Sequence, residues 1–190
     1  MSILKPQKLY LENLRKIESL EDEIKIDDEI ENILVNNYKI ENIQFSDITI
    51  RKTIIKDTEI ISSNLEKNTF MDIEFNNCNF SNTSFEKCSF IRCEFSDCKL
   101  TGCNFIETTL YQVSFIETNA NYLNLTTASL ENVLFQDTML RNSFFQETKL
   151  KNIALENTDL SRAQFFKTSL KDIDLSRKSN RGNSDSDRRY

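Results

Sequence analysis

The sequence predicts an all-β solenoid in which short extended segments turn a corner in every five residues. Every fifth residue from Ile40 to Leu175 is apolar, which gives 28 positions without a slip in register. Two residues before each of these, from Ile73 to Ile173, stands a small or apolar residue, and the other three positions are mostly polar. Neither the helical period of 3.6 nor the strand period of 2 places two inward side chains in every five residues over such a length.

The inner small positions indicate how many repeats form one coil. In the second half of the chain, threonine recurs at intervals of ten residues, with larger apolar residues at most positions between. These threonines are Thr108, Thr118, Thr138, Thr148, Thr158 and Thr168. Like residues stack on like in successive coils only if each coil holds an even number of five-residue repeats.

Several segments resemble the A(D/N)LXX motif of the pentapeptide-repeat family. They are TDLSR at 158–162, TSLKD at 168–172 and the Cys- and Phe-rich stretch NCNFSNTSFEKCSF at 77–90. The resemblance covers residues 31–175 and implies a right-handed square β-helix with four repeats in each coil. About seven coils at a strand spacing of about 4.8 Å would form a rod roughly 33 Å long with a core of stacked Phe and Leu.

The two ends differ from the repeats. Residues 1–30 are predicted to form an N-terminal helical cap, with a helix over residues 6–20 that begins near Pro6 and carries Tyr10, Leu14 and Ile17 at helical spacing. This helix either caps the first coil or also binds a partner or a second copy, so both a monomer and a dimer stay open. Residues 176–190 are polar and predict a disordered tail.

Composition narrows the possible functions. A net charge of −6 argues against direct nucleic-acid binding, and no apolar run approaches the length of a membrane span, so a cytoplasmic location is expected. The chain has no histidine, no Gly-rich phosphate loop and no loop insertion that would form a pocket. We therefore expect no catalytic residue, no cofactor and no metal, and thus no enzyme. With only two glycines, positive φ angles should be scarce or supplied by Asn.

The five cysteines are interpreted as packing residues. All of them occupy the small inner position of a repeat, and their spacing contains no CxxC pair: Cys78, Cys88, Cys93, Cys98 and Cys103. With four repeats per coil, only Cys78 and Cys98 share a face in adjacent coils, at a Cα separation of about 4.8 Å that a disulfide tolerates. A metal or redox role is the alternative.

Sorting the outward residues by the length of one coil gives one acidic face. It holds eight acidic residues against Lys56 and Arg177, a net charge near −6: Asp57, Glu74, Glu94, Asp97, Glu117, Asp137, Glu156 and Asp174. Asp97, Glu117 and Asp137 are predicted to stack in successive coils. At about 5 Å in water, each neighbouring pair costs a little under 1 kcal/mol, so a merely solvated acidic face is possible.

The family resemblance implies a more specific role for this acidic face. Some pentapeptide-repeat proteins are acidic rods that resemble B-DNA and bind a type II topoisomerase, DNA gyrase or topoisomerase IV, which they modulate or protect. The alternative is an assembly scaffold or an immunity-type protein that binds its partner through the N-terminal helix or a second, acid-poor surface. That surface, the contact patch, consists of Ile91, Arg92 and Tyr111.

Overall fold

A computed structural model of the chain describes residues 8–17, 19–171 and 173–174. It has a 3-10 turn at Leu11–Asn13 and the short α-helix α1 at Leu20–Ile26. The strands are β1 Arg15–Lys16, β2 Glu29–Glu31, β3 Ile33–Asn36, β4 Lys39–Glu41, β5 Thr49–Lys56, β6 Glu59–Ile61, β7 Thr69–Asn76, β8 Ser89–Ile91, β9 Glu94–Ser96, β10 Thr109–Ile116, β11 Ser129–Gln136, β12 Lys149–Glu156 and β13 Ile173–Asp174. Within the described ranges, no helix has the length and apolar character that a membrane crossing requires.

The strands form a parallel solenoid of about seven coils. A residue of one strand pairs with the residue four repeats later: β5 pairs with β7 from Thr49↔Thr69 to Lys56↔Asn76, and β11 pairs with β12 in the same way. Single bridges such as Asn104↔Asn124 continue this register between the longer strands. The predicted fold class and the predicted coil of four repeats are therefore confirmed.

Each coil turns at four corners, and each corner residue has a left-handed backbone. The corner lies two residues after each central apolar residue, and φ is positive at every one from Asn32 to Lys167. Only Gly102 among these 28 corners is a glycine, and 14 of the other 27 are Asn or Asp, the residues that tolerate this region best. Positive φ is thus far from scarce, contrary to one of the two expectations from composition, while the expected use of Asn is confirmed.

Two of the four corners are closed by hydrogen-bonded β-turns. The backbone N–H of Thr83 donates to the carbonyl of Phe80 at 3.0 Å, and that of Cys88 donates to Phe85 at 3.1 Å. In both turns the residue before the donor has the positive φ that a type II turn requires. At a third corner, β10 continues without interruption across Gln112. The φ of 57° at Gln112 bends the strand at this corner, and no hydrogen-bonded turn forms.

The core is a column of aromatic and aliphatic central residues. Phe75, Phe95, Phe115 and Phe135 stack in successive coils, with ring centroids 4.4 to 4.9 Å apart and planes within 8° of parallel. Most ring contacts between faces are edge-on, as between Phe75 and Phe80 at 5.5 Å. Almost no central residue from position 45 to 145 is accessible to solvent, which confirms the predicted column of Phe and Leu.

The N-terminal cap differs from the predicted helix over residues 6–20. Among the described residues, positions 8–17 contain only the 3-10 turn and β1, and the α-helix begins at Leu20. Arg15 and Ile17 donate backbone hydrogen bonds to carbonyls of the first coil, because its strand edge offers unpaired acceptors that a helix could not satisfy. Ser19 then caps α1, since its hydroxyl accepts from the N–H of Asp22 at 3.2 Å.

The apolar residues of this segment still cover the first coil. Leu20 is buried, and Ile17 and Ile24 pack against the core cluster. The hydroxyl of Tyr38 in the first coil donates to Glu21 at 2.6 Å and ties the helix to the solenoid. Pro6 lies outside the described residues, as does the whole of the predicted disordered tail at 176–190.

The corner residue Thr127 allows the cost of a left-handed backbone at a β-branched residue to be measured. Its φ is 58°, a strained value for a β-branched residue, and its side chain is exposed. We expect Thr127→Asn to raise the free energy of unfolding by about 0.5 to 1 kcal/mol, measured by equilibrium denaturation in urea. The control is Thr126→Asn, one position outside the left-handed corner. Equal effects of the two substitutions would contradict the explanation.

Candidate functional site

The inner cysteines act as hydrogen-bond donors as well as packing residues. Each thiol donates to the carbonyl of a central residue in the preceding coil; Cys103 donates to Phe80 at 2.9 Å. Thr83 and Thr108 make the same bond through their hydroxyls, to Ile60 and Phe85, both at 2.8 Å. Cysteine and threonine thus serve the same structural purpose in this ladder.

Four of the five thiols are poorly suited to chemistry. All five cysteines are free and buried. Burial raises the pKa of Cys88, Cys93 and Cys103 to about 12, and the pKa of Cys98 is raised by its hydrogen bond with Cys78 and by burial. At neutral pH these four thiols are protonated and weakly nucleophilic. Among the described residues, no group of three or more Cys, Asp or Glu is arranged to hold a metal ion.

The structure divides the eight residues of the acidic face among three columns that run along the rod. Glu74 and Glu94 are register partners in one column, but Ser114, Leu134 and Ala154 occupy its next coils before Asp174. Glu156 belongs to a second column, which begins at Asn36 and in which Lys56 carries the opposite charge. These two columns therefore carry interrupted charge.

The third column, here called the acidic corner, holds Asp57, Asp97, Glu117 and Asp137. All four have the left-handed corner backbone, with φ between 50° and 54°. Asn77 fills the gap in the column and donates to Asp57 at 2.8 Å, and an asparagine one coil beyond Asp137 donates to that carboxylate. Asp57, Asp97 and Glu117 are exposed and Asp137 is half-buried. The predicted stacking of Asp97, Glu117 and Asp137 is thus present.

The other three corners carry no comparable run of charge. Within the contact patch, Arg92 forms a two-pronged ion pair with Asp72 of the preceding coil, with both N···O distances at 2.7 Å. At the corner opposite the acidic corner, Lys167 pairs with Glu147 at 3.0 Å. Of the described corner columns, only the acidic corner has the same sign of charge in three successive coils.

The residues of the contact patch lie together. Ile91 and Tyr111 are register partners on β8 and β10, and Met71 on β7 continues the stripe one coil earlier. The ring of Tyr111 is exposed, whereas Arg92 is engaged with the nearly buried Asp72. The patch therefore offers apolar contact area more than free positive charge.

The structure also forms a cleft that the sequence analysis did not single out. It encloses about 500 Å³ at the corner next to the acidic corner and is lined by Asn121, Tyr122, Arg141, Asn142, Ser161 and Arg162. Each of three successive coils contributes two consecutive residues, the corner residue and the one before it. The signal in the sequence was the corner column Gly102, Tyr122, Asn142 and Arg162, which becomes visible only when positions are sorted by the length of one coil.

The family of the chain follows from its repeats. Residues 68–145 and 88–165 each match the profile of the pentapeptide repeat region, and together they span more than half of the 190 residues. The chain belongs to the pentapeptide-repeat family. The predicted resemblance is thereby confirmed, and the matched region includes the acidic corner from Asp97 to Asp137 together with the contact patch.

Solved structures of other pentapeptide-repeat proteins are similar to the chain at low sequence identity. Trypsin-treated QnrB1, a plasmid-mediated fluoroquinolone resistance protein, is 16% identical with a TM-score of 0.32, and the match covers 72% of this chain and 91% of that one. HetL from the cyanobacterium Nostoc, involved in regulating heterocyst differentiation, is 11% identical with a TM-score of 0.26, over 76% and 88%. No function of this chain follows from these similarities.

A third pentapeptide-repeat protein, Rfr23 from the cyanobacterium Cyanothece, is 9% identical with a TM-score of 0.25, and the match covers 80% of this chain and 95% of that one. Among curated proteins, none matches the sequence significantly.

The donor role of the inner position can be separated from its packing role at Cys103. Thr and Val have the same shape, but only Thr can donate to the carbonyl of Phe80, and Thr83 shows that a β-branched residue fits in the same column. We expect Cys103→Thr to be more stable than Cys103→Val by about 0.5 to 1.5 kcal/mol in urea denaturation. Equal stability of the two variants would show that the position serves packing alone.

Proposed function

We propose that the chain is a non-enzymatic rod that binds a partner protein through the acidic corner. The proposed partner carries a cationic groove for DNA, and a type II topoisomerase, DNA gyrase or topoisomerase IV, is the specific candidate. The single observation that carries the proposal is the run of like charge at Asp97, Glu117 and Asp137. The choice of a topoisomerase among DNA-binding proteins rests on the resemblance to acidic pentapeptide-repeat rods that mimic B-DNA.

The residue types in the acidic corner favour a role for charge itself. Asn is a better residue for a left-handed corner, and it occupies three positions of this same column, Asn37, Asn77 and Asn157. Glu117 has no such conformational advantage, yet it stands between two aspartates. Each neighbouring pair of carboxylates at about 5 Å repels by a little under 1 kcal/mol in water. A column selected for stability alone would continue with Asn.

The spacing of the charges is comparable to that of DNA. Successive coils of a parallel solenoid are about 4.8 Å apart, whereas the phosphates of one DNA strand follow each other at about 3.4 Å along the helix axis. The acidic corner therefore offers a straight row of negative charge that is somewhat less dense than one strand. A groove lined by Lys and Arg would accept it through the same electrostatic attraction that holds phosphates.

The proposal is tested with the triple variant Asp97→Asn, Glu117→Asn and Asp137→Asn. Because Asn suits the left-handed corner and removes the repulsion between carboxylates, the variant should fold and be at least as stable as the parent chain. We expect the parent to inhibit or protect DNA gyrase in a supercoiling assay, with an effect that weakens steeply with salt. The variant should need at least about tenfold more protein for the same effect.

A matched control removes three acidic residues from the opposite side of the rod. The substitutions Glu86→Gln, Glu107→Asn and Glu147→Asn change the net charge equally but leave the acidic corner intact, and they disrupt ion pairs only with the exposed Lys87 and Lys167. This control should act on gyrase like the parent chain. Equal activity of the acidic-corner variant and the parent would refute the proposal.

A second candidate function is protein binding through the contact patch or the N-terminal segment. It is favoured by the stacking of Met71, Ile91 and Tyr111 in successive coils, which forms a stripe of apolar surface. At the N-terminal end, Leu20 is buried and is not available to a partner. Tyr10 and Leu11 are the exposed large apolar residues in the described part of that segment. The two surfaces would suit a scaffold or an immunity-type protein with an apolar interface.

Binding through these two surfaces predicts the opposite outcome: the serine variants should lose binding and the acidic-corner variant should keep it. Replacing Ile91 and Tyr111 by Ser, or Tyr10 and Leu11 by Ser, should weaken binding to gyrase in a surface-immobilised binding assay by about tenfold, whereas the acidic-corner variant should bind like the parent. Binding should then depend little on salt, because apolar contacts are not screened. Unchanged binding of both serine variants would exclude gyrase as the partner of these two surfaces.

A further inference from the structure

The cleft beside the acidic corner has a composition unlike the rest of the surface. Two guanidinium groups, two side-chain amides, a hydroxyl and an exposed aromatic ring line about 500 Å³, a volume within the range of small-molecule sites. Among the described residues, the only acidic one in hydrogen-bond contact with these lining side chains is Asp159, which bonds to Arg141 and Ser161. Donors thus greatly outnumber acceptors in a protein whose net charge is −6.

Arg141 is held in place but keeps donors to spare. Its Nε donates to Asp159 at 2.5 Å, and no described residue is bonded to its two terminal nitrogens. Asp159 also accepts from the hydroxyl of Ser161 at 2.5 Å and from its N–H at 2.9 Å. These bonds from Ser161, and the one from Arg141, lower the pKa of Asp159 to about 2, so this carboxylate stays ionised at neutral pH.

Arg162 supplies a second positive charge. It occupies a corner near the end of the described coils, is exposed, and forms no ion pair with any described residue. The side-chain amide nitrogens of Asn121 and Asn142 add neutral donors. The side-chain oxygen of Asn121 accepts from the backbone N–H of Arg141 at 3.0 Å, which leaves the amide nitrogen of Asn121 to face the cleft. Two guanidinium groups with neutral donors between them suit the oxygens of a phosphate.

Tyr122 contributes a ring that packing does not explain. It has a left-handed backbone, with φ of 60°, where a bulky residue is strained, and its side chain is 55% exposed. The preceding corner in the column is Gly102 and the following one is Asn142, so the ring has no large neighbour in the column. Backbone strain without burial points to a role in binding, and an exposed aromatic ring stacks favourably on a planar base.

We propose that this cleft binds a nucleotide, with the phosphate held by Arg141 and Arg162 and the base stacked on Tyr122. The site is distinct from the acidic corner, and nothing in its construction depends on the partner proposed for that corner. Nucleotide binding here is reversible recognition and involves no covalent step.

The experiment is an amide NMR titration of the full chain with three probes: adenosine monophosphate, inorganic phosphate and adenosine. We expect adenosine monophosphate to shift amides of residues around 121–122, 141–142 and 161–162, with an affinity about tenfold higher than that of phosphate. Adenosine should bind more weakly still. Arg162→Gln should lower the affinity for adenosine monophosphate and for phosphate alike by about tenfold. Tyr122→Asn should lower the affinity for adenosine monophosphate to that for phosphate.

The matched control is Lys87→Gln with Lys167→Gln, which removes positive charge at the next corner along the chain and should leave nucleotide binding unchanged. Tyr122→Asn fits the corner conformation, so a loss of binding in that variant cannot be ascribed to misfolding. Absence of shifts with all three probes at millimolar concentration would overturn the proposal. Equal weakening by the lysine control, or equal affinity for phosphate and nucleotide, would also overturn it.

Discussion

The left-handed corner is the constraint on which the rest of the structure depends. A coil of four short sides closes only if the backbone bends sharply once in every five residues, and here that bend uses positive φ at every corner from Asn32 to Lys167. Glycine would be the least strained choice, but it is the least able to stabilise a strand through side-chain contacts. The chain uses Asn and Asp at half of its corners instead, so polar side chains project along all four edges of the rod.

The hydrogen-bond ladder turns each of these edges into a column. Because every coil is offset from the next by four whole repeats, a corner residue meets the same corner one coil earlier and one coil later. Interactions in a column are therefore repeated, whether favourable, as between Arg92 and Asp72, or unfavourable, as within the acidic corner. An unfavourable column has a cost in stability, and this cost is the physical argument for the role proposed for Asp97, Glu117 and Asp137.

The repeating part of the fold could be predicted from the sequence, and the departures from it have specific causes. The period of five and the apolar residues at every central position determine the coil, and counting in steps of four repeats then brings Asp97, Glu117 and Asp137 together. The donor role of Cys103 was missed because hydrogen bonding and packing require the same small residue at that position. The N-terminal helix was misplaced because pairing with an open strand edge outweighs helical spacing, and the cleft escaped notice because it joins neighbouring columns.

The rigidity of the solenoid determines how its two proposed sites can influence each other. Asp137 and Asn142 are consecutive corners, so one side of a coil, at most about 16 to 18 Å of extended chain, separates the acidic corner from the cleft. A core of stacked rings has no second arrangement through which a bound ligand could act, which leaves electrostatics. Arg141 is already paired with the ionised Asp159, which leaves the charge of Arg162 to act on Asp137, and salt screens that interaction beyond about one Debye length. Electrostatic coupling between the two sites is therefore weak at physiological salt and grows as the ionic strength falls.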